Sequence, residues 1–139
     1  MWDFPPHRIG DSPASFRGYN RQLSGMKMRY LAGATFEEMV AAATQNVEVW
    51  KSIRARAVVD DEAVRRVASL ACEWHALVLT EHWCADSFST LPFLDELARR
   101  TPNLDIRFVR RDENPDLMDG HLTGAGLRSG ANNGLYRLP

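Results

Sequence analysis

Residues 76–109 read ALVLTEHWCADSFSTLPFLDELARRTPNLDIRFV. Ala76 to Leu79 is a short apolar run closing on Thr80 and Glu81, which suits a buried parallel strand over 76–81. A helix is expected from Ala85 to Arg100, with Phe88, Leu91, Leu94, Leu97 and Ala98 inward and a kink at Pro92. Thr101-Pro102-Asn103 stops it. Leu104 to Val109 then alternates apolar and polar residues, as a second strand with one polar face would. Strand, helix and strand make a βαβ unit, so the fold class is α/β.

Working outward, Asn114-Pro115 starts a short helix with Leu117, Met118 and Leu122, ending by Gly124. Upstream, one helix is expected from Thr35 to Ala57. Thr35 and Glu38 have capping-box spacing, and Phe36, Met39, Val40, Ala43, Val47, Trp50 and Ile53 recur at steps of three and four. A second runs from Asp61 to Cys72 behind an Asp60 N-cap, with Val64, Val67, Ala68 and Ala71 as its core stripe. Residues 1–25, with scattered Pro and Gly, read as a poorly ordered leader; 26–125 read as the domain, and 126–139 as an irregular tail.

Seventeen Lys and Arg against eighteen Asp and Glu leave a net charge of −1, which offers no basic field for nucleic acid. No run is long and apolar enough to span a membrane, and the N-terminus does not read as a secretory signal. Two cysteines are too few for a disulfide scaffold, and a cytoplasmic, reducing location is the default expectation.

The chemistry points to Cys84, placed where the first strand meets the crossover helix. Ligands of open α/β sheets gather at such strand ends. The free N–H groups and positive end of a helix favour the nucleophilic thiolate. Asp86 suits the helix start but opposes a nearby thiolate, and His82 flanks the loop, where an imidazolium would support it. Trp83 stands beside the thiol as a substrate contact or as half-buried packing. His75 is expected at the strand entry, His121 at a helix end, and Trp50 and Trp74 in the core. His75, His82, Cys84 and Asp86 match no common zinc spacing, so neither metal nor cofactor is expected. Arg107, Arg110 and Arg111 read first as solvated charges paired with Asp112 and Glu113, and second as an anion contact.

The run WCADSFSTLP at 83–92 resembles the thioredoxin active-site segment, with Trp83, Cys84 and Pro92 in the family's positions. The stretch NLDIRFVRRDENPDLMDGHLTGAGLRS resembles one bacterial thioredoxin-like branch, and the likeness covers Thr35 to Ser129. It implies thiol–disulfide exchange with a disulfide-containing protein or a low-molecular-weight thiol. Ser87 stands where the family's second cysteine would be. The implied site is therefore a monothiol one, with catalytic Cys84 and Ser87, the Ser87 hydroxyl donating to the Cys84 sulfur, and an outside thiol finishing the reaction. Trp83, Asp86 and His82 would contact substrate. Cys72 cannot resolve the intermediate: six strand residues rise about 20 Å, whereas a disulfide needs Cα atoms within about 7 Å.

The family continues with Ile-Pro, its proline cis and facing the active cysteine, then two antiparallel strands and a helix. Here Ala131 falls at the proline position and no strand-pair pattern follows. The expected architecture is thus a thioredoxin-like βαβα with N-terminal helices, lacking the C-terminal ββα half. Strand 76–81 would keep an open apolar edge that invites a homodimer. A non-catalytic thioredoxin-like interaction module and an inactive truncated product are the alternatives. The redox reading fails if the sulfur lies mid-helix or is sealed away from solvent.

Overall fold

The computed structural model describes residues 25–119 and the backbone of residues 132–136. The expectations for 1–24, His121, Leu122, Gly124 and Ala131 lie outside those residues. The elements run in the order α1 (25–32), α2 (Phe36–Ala41), α3 (Val47–Arg56), α4 (Asp61–Ala68), β1 (Trp74–Thr80), α5 (Ala85–Arg99), β2 (Leu104–Arg110), α6 (Pro115–Asp119) and β3 (Asn132–Tyr136).

The βαβ unit forms as its residues predict. β1 and β2 pair in parallel from Trp74–Leu104 to Thr80–Arg110, and α5 connects them, running through Pro92 without a break. Each apolar strand position faces one of two helical layers. Ala76, Val78, Ile106 and Phe108 pack with Phe36, Met39, Trp50 and Leu91 of α2, α3 and α5. Leu77 and Leu79 face the other way, onto Met26 and Tyr30 of α1 and Leu117 and Met118 of α6. The sheet is therefore sandwiched, which explains why β1 is apolar on both sides.

Three expectations need correction. The helix expected from Thr35 to Ala57 is two helices. The capping box is present: Thr35 Oγ1 accepts the Glu38 N–H, and Glu38 Oε2 accepts the Thr35 N–H. But Asn46 adopts a left-handed backbone with φ of 57° and restarts the chain as α3. Asparagine tolerates that conformation better than most residues, and its side-chain Nδ2 donates to the His82 carbonyl. The helix expected to reach Cys72 ends at Ala68, and α4 buries no residue fully, so its apolar stripe is only half covered.

The third correction concerns the tail. Residues 132–136 are a strand, not loop, and pair antiparallel with β1 from His75–Tyr136 to Leu79–Asn132. The sheet order is β2-β1-β3, with a single Ala34–Phe108 bridge on the far side of β2. An open edge on β1 would leave a row of backbone groups unpaired, and β3 satisfies them. The homodimer through that edge loses its structural motive.

Packing against β2 also fixes a glycine. A Cβ at Gly33 would lie 2.8 Å from the Arg107 Cβ and 3.2 Å from two α1 carbonyls. Across the layers, Arg54 of α3 reaches α5, with Nη1 donating to Glu96 Oε2 at 3.2 Å and Nε 3.1 Å from Asp95 Oδ2. Burial raises the Asp95 carboxyl above its ordinary value, against the pull of Arg54.

Candidate active site

The site is the turn from Glu81 to Cys84 that joins β1 to α5. The Cys84 N–H donates to the Glu81 carbonyl at 3.2 Å and closes it. Two neighbours hold the turn. From α3, Trp50 Nε1 and Asn46 Nδ2 both donate to the His82 carbonyl, at 3.1 and 3.3 Å. From the loop after β2 the Asp112 N–H donates to Glu81 Oε1 at 2.9 Å, and from the last residue of β2 Arg110 Nη2 donates to Glu81 Oε2 at 3.2 Å. The Glu81 side chain is fully buried, and the Glu81 contact raises the Arg110 guanidinium further above its ordinary value.

Cys84 is the N-cap of α5, with extended backbone, and its carbonyl accepts the first helical hydrogen bond from the Phe88 N–H. Its sulfur makes no cap hydrogen bond, and the residue is only 5% exposed. The position is the one the sequence indicated; the openness is not, because Cys84 belongs to the buried set rather than to the surface. Trp83, next to it, is 42% exposed and carries the accessible face of the turn. The Arg111 guanidinium lies over that indole, 4.5 Å from the ring centroid.

Ser87 is completely buried one turn into α5, and its hydroxyl has no hydrogen-bond partner among the described residues. The expected hydrogen bond from Ser87 to the Cys84 sulfur is therefore not made. Asp86 is exposed in the first turn, where a carboxylate suits the positive helix end. His82 is buried, and its backbone carbonyl anchors the turn. Cys72 is half-buried before β1, and both cysteines are free. His75 sits in β1 and accepts or donates at the Tyr30 hydroxyl, 2.8 Å away, at the far end of the strand from Cys84. Among the described residues no cluster of His, Cys, Asp and Glu is placed to hold a metal ion. No helix there is long and apolar enough to cross a membrane.

The family model described as Thioredoxin matches residues 33–129, 97 of the 139 residues. The chain belongs to the thioredoxin family. The match takes in α2 to α6 and the Cys84 turn. No curated protein matches the chain. Two solved structures share its fold. One is a Pseudomonas aeruginosa protein of unknown function, with 20% identity and a TM-score of 0.56, covering 63% of this chain and 55% of its own. The other is an HIV epitope-scaffold, with 19% identity and a TM-score of 0.57, covering 65% of this chain and 57% of its own. The chain thus spans little more than half the length of either.

Within this thioredoxin-family site, two residues carry roles the sequence reading missed. Glu81 was given no role beyond closing the first strand, yet it is the buried tie between the turn and the loop after β2. Arg111 pairs with Asp112 as expected, and its guanidinium also lies over Trp83 beside the thiol. The apolar run of β1 just before Glu81 was the available signal for the first; the stacking of the second had none, because it depends on how two loops meet.

Proposed function

We propose that this thioredoxin-family chain performs monothiol thiol–disulfide exchange through Cys84. The observation that supports it best is the placement of the cysteine at the N-cap of α5, held in register by bonds to Glu81 and His82 of its turn. Unpaired N–H groups of a first helical turn favour negative charge on a sulfur at that end.

In the reaction, the Cys84 thiolate attacks one sulfur of a substrate disulfide. An S–S bond forms to Cys84, the substrate S–S bond breaks, and the other half leaves as a thiolate. With serine at position 87, no second thiol of the motif attacks in turn. A low-molecular-weight thiol attacks the substrate-side sulfur, Cys84 leaves as thiolate, and the substrate departs in a new disulfide. Two free cysteines suit the reducing conditions of a cytoplasm.

The test is exchange between a small disulfide and a small thiol, followed with the chain and with Cys84→Ser. Faster exchange lost in Cys84→Ser supports the reading; equal rates with both overturn it. A second reading, a thioredoxin-like module without chemistry, draws support from the burial of Cys84 and the unpartnered Ser87 hydroxyl. It predicts that Cys84→Ser keeps the chain's biological effect.

A further inference from the structure

We infer that Arg111 is a specificity-determining residue that selects small disulfides bearing a carboxylate at the Cys84 site. This rests on the exchange reading above and adds the substrate class.

Three arginines lie in or just after β2, and their partners separate them. Arg107 donates to Asp105, and Arg110 is committed to Glu81 and Glu113. Arg111 differs. Its N–H donates to the Thr80 carbonyl at 3.0 Å, which fixes its backbone at the end of β1. Its side chain is 16% exposed and reaches over Trp83, with the guanidinium carbon 4.5 Å from the ring centroid. Nε donates to Asp112 Oδ1 at 3.3 Å, and among the described residues the two terminal nitrogens take no acceptor.

A guanidinium held against an aromatic face loses little freedom when it binds, and its free edge matches a carboxylate with two parallel N–H donors. Trp83 directly precedes Cys84 and is the exposed side of the turn, so Arg111 is held against the residue next to the sulfur. The approach is narrow, because Cys84 itself is 5% exposed. A slender disulfide with a terminal carboxylate fits both constraints; a folded protein's disulfide does not.

The experiment compares glutathione disulfide with neutral bis(2-hydroxyethyl) disulfide. Mixed-disulfide formation at Cys84 is timed by peptide mass spectrometry in the chain, Arg111→Ala and Arg111→Lys. The ratio of the two rates is the readout, since a merely structural disturbance of Trp83 shifts both rates alike. A charge-assisted contact at a partly screened site predicts that the ratio falls about tenfold in Arg111→Ala, with Arg111→Lys between. A ratio that Arg111→Ala leaves within about twofold overturns the inference. Alkylation of Cys84 by iodoacetate against iodoacetamide reads the same preference without exchange. If no mixed disulfide forms but Arg111→Ala lowers that alkylation ratio, the exchange reading fails and the carboxylate contact stands. If the alkylation ratio is also unmoved, Arg111 selects nothing.

Discussion

Trp50 and His82 are joined by a hydrogen bond from the indole Nε1 to the backbone carbonyl, at 3.1 Å. The bond connects a core residue of α3 with the turn that ends in Cys84. Trp50 is fully buried, with its ring edge-on to both Phe36 and Phe88. Core packing and site geometry therefore share one side chain.

Replacing Trp50 separates the two contributions. Trp50→Phe keeps an aromatic ring but removes the donor; since Asn46 still reaches the same carbonyl, the expected loss is about 1 kcal/mol. Trp50→Ala also leaves a cavity and should cost about 3–5 kcal/mol. Urea unfolding midpoints check both values.

Asn46 offers a backbone test. Its φ of 57° is tolerated by asparagine and glycine and disfavoured for alanine. Asn46→Ala should destabilise by about 1–2 kcal/mol through its backbone, and Asn46→Gly by less. Equal losses in the two variants would show that the side-chain bond to His82, and not the backbone, sets the cost.

That break between α2 and α3 also shows where sequence reading stops. Apolar spacing runs on from Ala43 to Val47 in helical phase, so nothing local marks an interruption. At the interruption the left-handed Asn46 makes a contact with the His82 carbonyl, 36 positions away. The βαβ unit was legible because its signals are local: an apolar run, a helix start at Cys84 and an alternating second strand. The Thr35–Glu38 cap was legible for the same reason. β3 was not, because Asn132-Asn133-Gly134-Leu135-Tyr136 has no strand alternation, and its pairing answers the unsatisfied edge of β1. Glu81 was not, because its burial depends on Arg110 and Asp112 across the loop.

Ser87 carries a buried hydroxyl without a partner. Ser87→Ala should leave stability unchanged or raise it by up to about 1 kcal/mol, since a desolvated polar group is removed. Ser87→Cys should convert the site to a dithiol that resolves its own mixed disulfide, with no need for an outside thiol. Thermal unfolding checks the first variant, and the lifetime of the mixed disulfide checks the second.

Alkaline stability should report on Tyr30. Burial first, and the Asp105 carboxylate next, push its phenol up to about 12 from 10.0. The folded value lies above the unfolded one, so the neutral phenol's contribution is complete below about pH 10 and is lost as pH rises through about 12. Tyr30→Phe removes the hydroxyl bonds to Asp105 and His75. That variant should start less stable at neutral pH and decline less steeply across the alkaline window. Denaturant midpoints measured for both proteins across that window decide it; parallel declines would show that Tyr30 ionisation does not contribute.

Exchange through Cys84 is tested most directly in the folded chain, by exposing it to a small disulfide at neutral pH and locating the adduct by peptide mass spectrometry. Thiol exchange at the helix start predicts that Cys84 acquires the adduct, faster than half-buried Cys72 and without unfolding. An adduct on Cys72 alone, with Cys84 modified only after denaturant is added, would contradict it.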